Sequence, residues 1–382
     1  MKKAIIVSCF GSYFYEERLK YVYQSLIKHN YETKILMSDF DHTRKMKIKK
    51  NAYPNFVNYI HTRAYRKNVS IGRVMSHYCF AKGLKSEIEE ISPDLIYYLM
   101  PPNIVGKIIS DYKSKHDDCF LIADVMDLWP ESFPLGIFHN KLNFIEKIWK
   151  KLRTKSLEKA DYIIFECDLY KTKLGIKDNC DVIYLPMREF DKRNDKCNGW
   201  DCGSSLKIAY IGQVSHIVDM NLIEKLLLEL SKRWKIELHI IGTGTNYRRF
   251  INRMQAVVTK IYEYGAVYDE NEIERLIGGC HFGLNIMKKN VQVGLTMKSM
   301  VYIGLGIPII NNIKGDTWRL VDRYNVGINV TDKNVQYDDI PRYKEMHENM
   351  KMLQSKVFSK SAIQNKFDDL MSNILLDVKE GI

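Results

Sequence analysis

A segment in the second half of the chain, Gly294 to Lys298, combines residue types that can bind a phosphate. Thr296 is a favourable helix N-cap, and Gly306 followed by Pro308 is typical of a helix end, so the spacing predicts a helix of about nine residues. Free backbone N–H groups at the start of that helix, with the lysine of its first turn, could bind a diphosphate. A solvated lysine after a tight turn is the alternative interpretation.

Two carboxylates, Asp127 and Glu131, form a second candidate group. Asp127 follows the end of a predicted strand and Glu131 follows Pro130, so both would lie on a turn at the carboxyl edge of a sheet. Trp129 would anchor that turn. The alternative is that Asp127 caps a helix while Glu131 is solvated.

Glycine turns follow several predicted strands and would let the backbone approach a ligand closely. Gly11 follows the first strand, and Gly212 with Gln213 follows the first strand of the second half. Gly242 and Gly244 form a further turn. This last turn lacks the third glycine and the downstream acid of a dinucleotide fingerprint, so it does not indicate NAD.

Metal ligands at suitable spacing are scarce in the sequence. Of the eight cysteines only Cys197 and Cys202 lie close together, and a zinc site would need two more ligands nearby. Others, such as Cys9 and Cys167, lie in predicted strands as buried free thiols, which favours the reducing cytosol. We therefore expect no cofactor, no metal ion and a cytoplasmic protein.

The elements that must position these groups alternate between strand and helix. Apolar runs such as Leu95 to Leu99 and Phe120 to Asp124 are separated by helical patterns, among them a helix from about Glu17 to His29. A short strand is expected at Val182 to Leu185. Strands that alternate with helices imply parallel sheets.

The same series returns after a polar, glycine-containing stretch, which predicts a two-domain α/β protein. We expect doubly wound, Rossmann-like domains at residues 1–190 and 206–358, joined by a linker at 191–205. A central cleft between the two sheets' carboxyl edges would hold the ligand. A helix within 359–382, with apolar residues at helical spacing, is expected to pack back on a domain.

The formal net charge of +12 implies an anionic partner. Five of the seven residues from Arg44 to Lys50 are basic, and Lys141 to Lys159 carries apolar residues at helical spacing among basic ones. A basic amphipathic helix can lie on an anionic membrane surface; a helix that buries its stripe in the domain is the alternative. The residues expected at a membrane or acceptor are Phe144, Ile148, Trp149, Lys150 and Lys151.

The sequence predicts neither a nucleic-acid partner nor a membrane-spanning segment. No recognition motif accompanies the basic clusters, so a nucleic-acid partner is not expected. No apolar run in the sequence is long enough to span a bilayer, so contact with a membrane would be peripheral.

Two motifs carry a resemblance to a known family. Lys298, Tyr302, Gly306, Pro308 and Ile310 resemble the K-x-x-x-Y-x-x-x-G-x-P-x-I stretch of bacterial GT-B glycosyltransferases, above all the family-4 group and its capsule, O-antigen and exopolysaccharide relatives. The segment Asp124 to Ser132 (DVMDLWPES) is similar to their D-x-x-D-L-W-P-E-S segment. Two glutamates of the family's donor motif are absent.

Valine occupies both of those glutamate positions, at Val293 and Val301. The sugar and ribose contacts that the glutamates make in the family must then be made differently. Another transferase fold binds a divalent ion through a D-x-D motif, which Asp39-Phe40-Asp41 matches. Because this motif follows only the second strand, we interpret it as a solvated loop.

The resemblance implies a GT-B glycosyltransferase that moves a sugar from a nucleoside-diphosphate sugar, UDP-linked by expectation, to a hydroxyl of a lipid-linked or saccharide acceptor. Retention of configuration and independence of metal are implied. The catalytic residues would be Asp127 and Glu131. The donor-binding residues would be Gly11, Gly212, Gln213, Gly242, Gly244, Tyr268, Gly294, Leu295, Thr296, Lys298 and Tyr302.

Two other functions stay open from the sequence. A nucleotide-sugar 2-epimerase has the same fold but needs acid and base carboxylates around the sugar, so the two valines count modestly against it. A non-catalytic partner subunit of a glycosyltransferase tolerates those valines.

Overall fold

The computed structural model describes residues 1–11, 13–49, 54–68, 70–131, 143–187, 190, 205–332 and 340–380. The chain divides into an N-terminal unit, Met1–Leu185 with Ile363–Ile382, and a C-terminal unit, Pro186–Ala362. The predicted linker at 191–205 falls almost wholly outside the described residues.

The N-terminal unit contains a seven-stranded parallel sheet in the order β5-β2-β1-β6-β7-β8-β9, and a two-stranded antiparallel hairpin, β3–β4. Continuous apolar strands such as KAIIVS are buried on both faces, as expected for a parallel sheet covered by helices. Its strands are β1 (Lys3–Ser8), β2 (Glu32–Ser38), β3 (Phe40–Asp41), β4 (Met46–Lys47), β5 (Val57–Ile60), β6 (Leu95–Met100), β7 (Phe120–Val125), β8 (Tyr162–Phe165) and β9 (Cys180–Val182). The helices are α1 (Tyr13–Lys28), α2 (Ile71–Ile91), α3 (Asn103–Lys113), α4 (Asn143–Glu158) and α5 (Asp168–Leu174).

The C-terminal unit contains a six-stranded parallel sheet in the order β12-β11-β10-β13-β14-β15. Its strands are β10 (Leu206–Ile211), β11 (Ile236–Ile241), β12 (Lys260–Gly265), β13 (Phe282–Asn285), β14 (Ile309–Asn311) and β15 (Gly327–Asn329). Its helices are α6 (Met220–Ser231), α7 (Tyr247–Gln255), α8 (Glu270–Ile277), α9 (Met297–Leu305), α10 (Asp316–Tyr324) and α11 (Tyr343–Leu353), with a 3₁₀ turn (Ile340–Arg342) and a π-helical turn (Gln354–Phe358). Both predicted parallel sheets are thus confirmed.

The last helix, α12 (Lys360–Glu380), joins the core of the N-terminal unit. Ile363 and Phe367 are fully buried, and the Phe367 ring stacks on Tyr21 of α1 with centroids 6.4 Å apart. Lys28 at the end of α1 donates to Asp368 at 2.8 Å. The apolar spacing read from the sequence is therefore the face that this helix buries.

Three details differ from the sequence predictions. Helix α1 begins at Tyr13 instead of Glu17, and the short strand near Val182 ends there instead of beginning there. Asp39 and Asp41 do not form a solvated loop: they belong to the β3–β4 hairpin, and Asp39 accepts hydrogen bonds from Lys47 at 2.6 Å and from the Thr62 backbone at 2.8 Å. The sequence cannot show these distant partners.

Candidate functional site

The carboxyl edge of the C-terminal sheet brings the glycine turns of β10 and β11 together. Gly212 has φ +111°, in the region that favours glycine. A Cβ on Gly242 would lie 2.1 Å from the Gly212 carbonyl oxygen, so only glycine fits at 242. Gly244 lies against the backbone of Val214 in the same way. Two strand ends therefore meet as bare backbone at one place.

Helix α9 begins at this edge, as predicted. Thr296 is its N-cap: its hydroxyl accepts the Ser299 N–H at 3.0 Å and donates to Asn285 Oδ1 at 2.9 Å. Asn285 in turn donates to Ser299 Oγ and to Asn311 Oδ1, each at 3.0 Å. This buried polar network ties the start of α9 to the ends of β13 and β14.

The start of α10 lies beside the same turn. The backbone N–H and the hydroxyl of Thr317 both donate to the Gly294 carbonyl at 3.0 Å. A Cβ on Gly315 would lie 3.5 Å from the Gly294 Cα. Two helix N-termini therefore converge at Gly294, next to Leu295, and both direct their positive ends to this region.

Lys298 is buried in the first turn of α9, with 9% of its surface exposed. Its ammonium donates to the Tyr210 hydroxyl at 2.9 Å, and that hydroxyl donates to the Gln213 carbonyl at 3.1 Å. The side chain passes Gly212, where a Cβ would come within 3.2 Å of Lys298 Cε. No carboxylate pairs with Lys298 among the described residues.

Burial lowers the pKa of Lys298 from its ordinary value to about 7. The charged form is disfavoured because water is removed and no anion replaces it. An anion bound at the start of α9 would reverse that shift. The sequence pointed to this lysine, but it did not point to Tyr210, which holds it.

Tyr302 has a different position from the one the donor assignment implies. Its side chain is fully buried, and its hydroxyl accepts the Ile211 N–H at 3.1 Å while facing the Ala209 and Leu284 carbonyls at 3.2 Å. This geometry ties β10 to β13 beneath the site and leaves no surface for direct contact with a donor. Val301, on the same helix, is also buried.

Tyr268 lies at the start of α8 and exposes 87% of its surface. It lines a cavity of about 950 Å³ with Asp269, Asn271 and Gln354. The residues around this cavity do not include Lys298 or the Gly294 turn. The expected donor-binding role of Tyr268 stays a prediction.

In the N-terminal unit, Asp127 and Glu131 lie on the predicted turn after β7. Asp127 accepts the Leu128 N–H at 2.8 Å and the Trp129 indole N–H at 3.0 Å. Glu131 accepts two hydrogen bonds from Arg153, at 2.5 and 2.9 Å. Although burial acts to raise it, the Arg153 hydrogen bonds hold the pKa of Glu131 below its ordinary value.

Asp127 accepts hydrogen bonds from the turn itself, including the Trp129 indole, and Glu131 remains exposed while it forms an ion pair with Arg153. A carboxylate paired in this way is a poor proton acceptor. The catalytic assignment of both residues stays a prediction. Gly11 is distant in sequence from both carboxylates. Its backbone forms a β-bridge with Asp41 of the hairpin.

An aromatic and basic cluster beside Trp129 was missed by the sequence reasoning. The Arg73 guanidinium lies 4.4 Å from the Trp129 ring centroid and 5.5 Å from that of Phe10. Burial, and then the Arg73 charge, lower the pKa of both His42 and His77 to about 3. The imidazoles are therefore neutral at pH 7. In the sequence, the signals for this cluster were the positions of Phe10, His42 and Trp129 after predicted strands and of Arg73 at the start of a helix.

The residues of helix α4 that were expected to contact a membrane or an acceptor have different environments. Phe144 and Ile148 expose 74% and 41% of their surface. The Trp149 ring stacks on Trp129 with centroids 6.4 Å apart, and Lys150 pairs with Glu146 at 2.6 Å. Lys151 is exposed. Part of the stripe thus packs in the unit and part faces outward.

The described residues contain neither a membrane-spanning helix nor a cluster of metal-ligand side chains. No helix in this part of the chain is both long and apolar enough to cross a bilayer. Over the same residues, His, Cys, Asp and Glu side chains do not gather in groups that could hold a metal ion. Independence of metal stays a prediction.

Comparison with known proteins gives similarity in structure only. No protein-family model and no curated protein sequence matches the chain. Among solved structures, the lipopolysaccharide outer core galactosyltransferase WaaB, in its apo form, is 13% identical with a TM-score of 0.60 over 98% of this chain and 99% of that one. HepE of Anabaena in complex with UDP is 13% identical with a TM-score of 0.62, over 97% and 100%. Apo UGT2 of Phytolacca americana is 10% identical with a TM-score of 0.52, over 99% and 100%.

The chain has the GT-B fold. All three comparisons span nearly its full length, and both parallel sheets take part. At these identities the likeness concerns the fold alone, so activity has to be argued from the residues of the site.

Proposed function

We propose that the protein is a glycosyltransferase that uses a nucleoside-diphosphate sugar, with the diphosphate at the start of α9. The observation that carries this proposal is the buried ammonium of Lys298, which has no carboxylate partner among the described residues. A cation in a helix's first turn is unfavourable until an anion binds there. Because Gly212 and Gly242 lack side chains, their two turns and the Lys298 side chain pack directly against one another at this edge of the sheet.

The proposed chemistry is electrostatic. The bond between the anomeric carbon and the diphosphate breaks, the acceptor oxygen bonds to that carbon, and the leaving phosphate takes the acceptor proton. Lys298 and the N–H groups at the starts of α9 and α10 would stabilise the charge on the leaving diphosphate. Transfer with retention and without metal belongs to the proposal. UDP is the favoured nucleotide because HepE was solved with UDP.

For the acceptor, the proposal names only a chemical class and a region of the N-terminal unit. A lipid-linked or saccharide hydroxyl would bind in the N-terminal unit near the turn of Asp127 and Glu131. Peripheral association with the inner face of an anionic membrane, in surface polysaccharide synthesis, would bring a lipid-linked acceptor within reach. The Arg153 pair favours a positioning role for Glu131 over proton transfer.

A thermal-shift screen with UDP-, GDP-, dTDP- and CMP-sugars, without metal, tests the donor site. We expect one nucleotide sugar to raise the Tm of the wild type by several degrees and that of Lys298→Met by far less. Lys151→Met, which removes an exposed lysine elsewhere, is the matched control and should keep the full shift. Equal shifts in wild type and Lys298→Met would refute the phosphate assignment.

Product analysis with the stabilising donor then separates the functions. Release of the nucleoside diphosphate with a new glycosidic product supports transfer, and the anomeric proton coupling of that product reports retention. Conversion of the free nucleotide sugar to its 2-epimer would instead establish an epimerase. Binding without turnover over a broad acceptor panel would favour a non-catalytic partner subunit.

A further inference from the structure

Helix α2 carries an exposed stripe of apolar side chains. Ile71, Val74, Met75 and Tyr78 expose 82%, 48%, 39% and 54% of their surface. At a spacing of three, four and seven residues, they lie within about 100° of one another around the helix. The opposite side of the helix is in the core, where Phe80 is fully buried. The stripe is therefore an outer face, and apolar side chains of this size are unusual there in such a row.

The residues around this stripe are predominantly basic, and the two acidic residues of the neighbouring hairpin region, Asp39 and Asp41, are paired with Lys47 and Arg44. From His42 to Ser86 the sequence contains eleven Lys and Arg residues and no Asp or Glu. Arg63, Arg66 and Lys67 are exposed just before the helix. Lys82 and Lys85, also exposed, continue the stripe along the same helix face. We call the apolar stripe together with these five basic residues the α2 face.

Hydrogen bonds of the loops hold the parts of the α2 face together. Arg73 donates to the Asn68 carbonyl at 3.1 Å, which fixes the loop against the first turn of α2. Lys45 of the basic β3–β4 hairpin donates to the Asn68 side chain. The Ser70 hydroxyl, at the N-cap, donates to the Lys67 carbonyl at 2.7 Å. Hairpin, loop and helix start are therefore joined beside the stripe.

We propose that the α2 face docks the protein on an anionic lipid bilayer, with the apolar stripe at the level of the head groups and the basic rim on the lipid charges. Apolar side chains flanked by Lys and Arg match both properties of such a surface. The inference rests on the membrane partner of the proposed function but not on sugar transfer, and it assigns the contact to α2 instead of α4.

Other occupants fit the α2 face less well. A symmetric dimer through this face would bring two basic rims against each other, which disfavours a second copy. A nucleic acid would match the basic charge, but its phosphate backbone would give the four large apolar side chains no apolar surface to pack against. Among the side chains of α4 that the structure describes, the exposed large apolar ones are Phe144 and Ile148, and Lys150 of this helix is paired with Glu146.

Vesicle co-sedimentation tests this assignment with the full chain. The probes are phosphatidylcholine vesicles with and without about 30% phosphatidylglycerol. We expect the wild type to bind the anionic vesicles far better than the neutral ones, and Ile71→Ser/Tyr78→Ser to reduce the bound fraction at least about fivefold. Arg66→Glu/Lys67→Glu should also lose binding. The matched control Phe144→Ser/Ile148→Ser changes two exposed apolar residues of α4 and should bind within about twofold of the wild type.

Several outcomes would overturn the proposal. These are wild-type binding by Ile71→Ser/Tyr78→Ser, loss of binding in the α4 variant alone, or no preference for anionic vesicles. A wild-type dimer in sedimentation velocity that the α2 variant dissolves, without vesicle binding by either, would assign the face to a second copy.

The thermal shift with the nucleotide sugar is measured on the same variants. If that shift is retained while vesicle binding is lost, the variants are folded and the effect belongs to docking. If vesicles bind but no nucleotide sugar shifts any variant, the donor-site proposal fails and the docking proposal stands.

Discussion

Lys298 is the residue at which local sequence signals and long-range structure meet. A helix N-cap before it and a glycine–proline end after it place it in a first turn, so its position could be predicted from neighbouring residues alone. Its partner Tyr210 lies 88 residues away in sequence. That contact exists only because β10 pairs with β13, and no local pattern contains this information.

The depressed pKa of Lys298 predicts a pH dependence of donor binding. With a pKa of about 7 in the free protein, the lysine is already charged below that pH, and a bound diphosphate raises its pKa. Above about pH 7 binding must therefore take up a proton, so the affinity for the nucleoside diphosphate should fall by up to about tenfold per pH unit as pH rises. Isothermal titration between about pH 7 and pH 9 measures this slope, a range in which the ligand's phosphates are already ionised.

Lys298→Met is the control for this prediction. Its affinity should be lower at pH 7 and nearly independent of pH in the same range, since no group is left to take up the proton. Calorimetry in two buffers of different ionisation enthalpy should show proton uptake only for the wild type. A wild-type affinity that is flat or rises with pH contradicts the assignment.

At the scale of single elements, the sequence predicted the ends of α9 correctly but not the contacts that hold its start. Thr296, Gly306 and Pro308 set its ends, and the structure has the helix at Met297–Leu305. The buried network through Asn285 and Asn311 could not be foreseen, because isolated Asn residues in apolar strands give no signal of their partners. The turn with Glu131 is similar: its motif is local, but the Arg153 that pairs with it lies on α4.

Thr296→Val tests whether this network holds the start of α9. The substitution keeps the shape but removes the N-cap hydroxyl and leaves the buried Asn285 Oδ1 without its donor. We expect a loss of about 2–3 kcal/mol in the free energy of unfolding together with weaker binding of the nucleoside diphosphate. Urea denaturation and titration measure the two effects. Thr296→Ser, which retains the hydroxyl, should restore most of both; equal damage by the two substitutions would mean that shape alone matters.

At the scale of the whole molecule, the fold followed from repetition in the sequence. Two series of apolar strands separated by helices required two parallel sheets, because parallel strands need crossover helices. The order of strands within each sheet did not follow, since it depends on pairings far apart in sequence. The packing partner of the final helix could not be predicted for the same reason. Its apolar stripe showed that it must pack on a domain, but not on which of the two units.

Phe367→Ala tests the claim that the chain's end is part of the core of its first unit. Phe367 is fully buried, stacks on Tyr21 and lies 5.2 Å beneath the Arg18 guanidinium, which itself pairs with the buried Asp124. Removing the ring should cost about 3–5 kcal/mol through lost burial and the cavity it leaves. Hydrogen exchange should become faster in β1, α1 and β7, while β10 and β13 keep their protection.

The choice of unit makes this prediction specific. Because α12 is covalently continuous with the C-terminal unit, a helix that merely capped that unit would transmit the damage to β10 and β13 instead. Leu228→Ala, at an exposed position of α6, is the matched control and should leave exchange in both units unchanged. Faster exchange confined to the C-terminal unit in Phe367→Ala would show that the final helix stabilises the domain it leaves and not the one it joins.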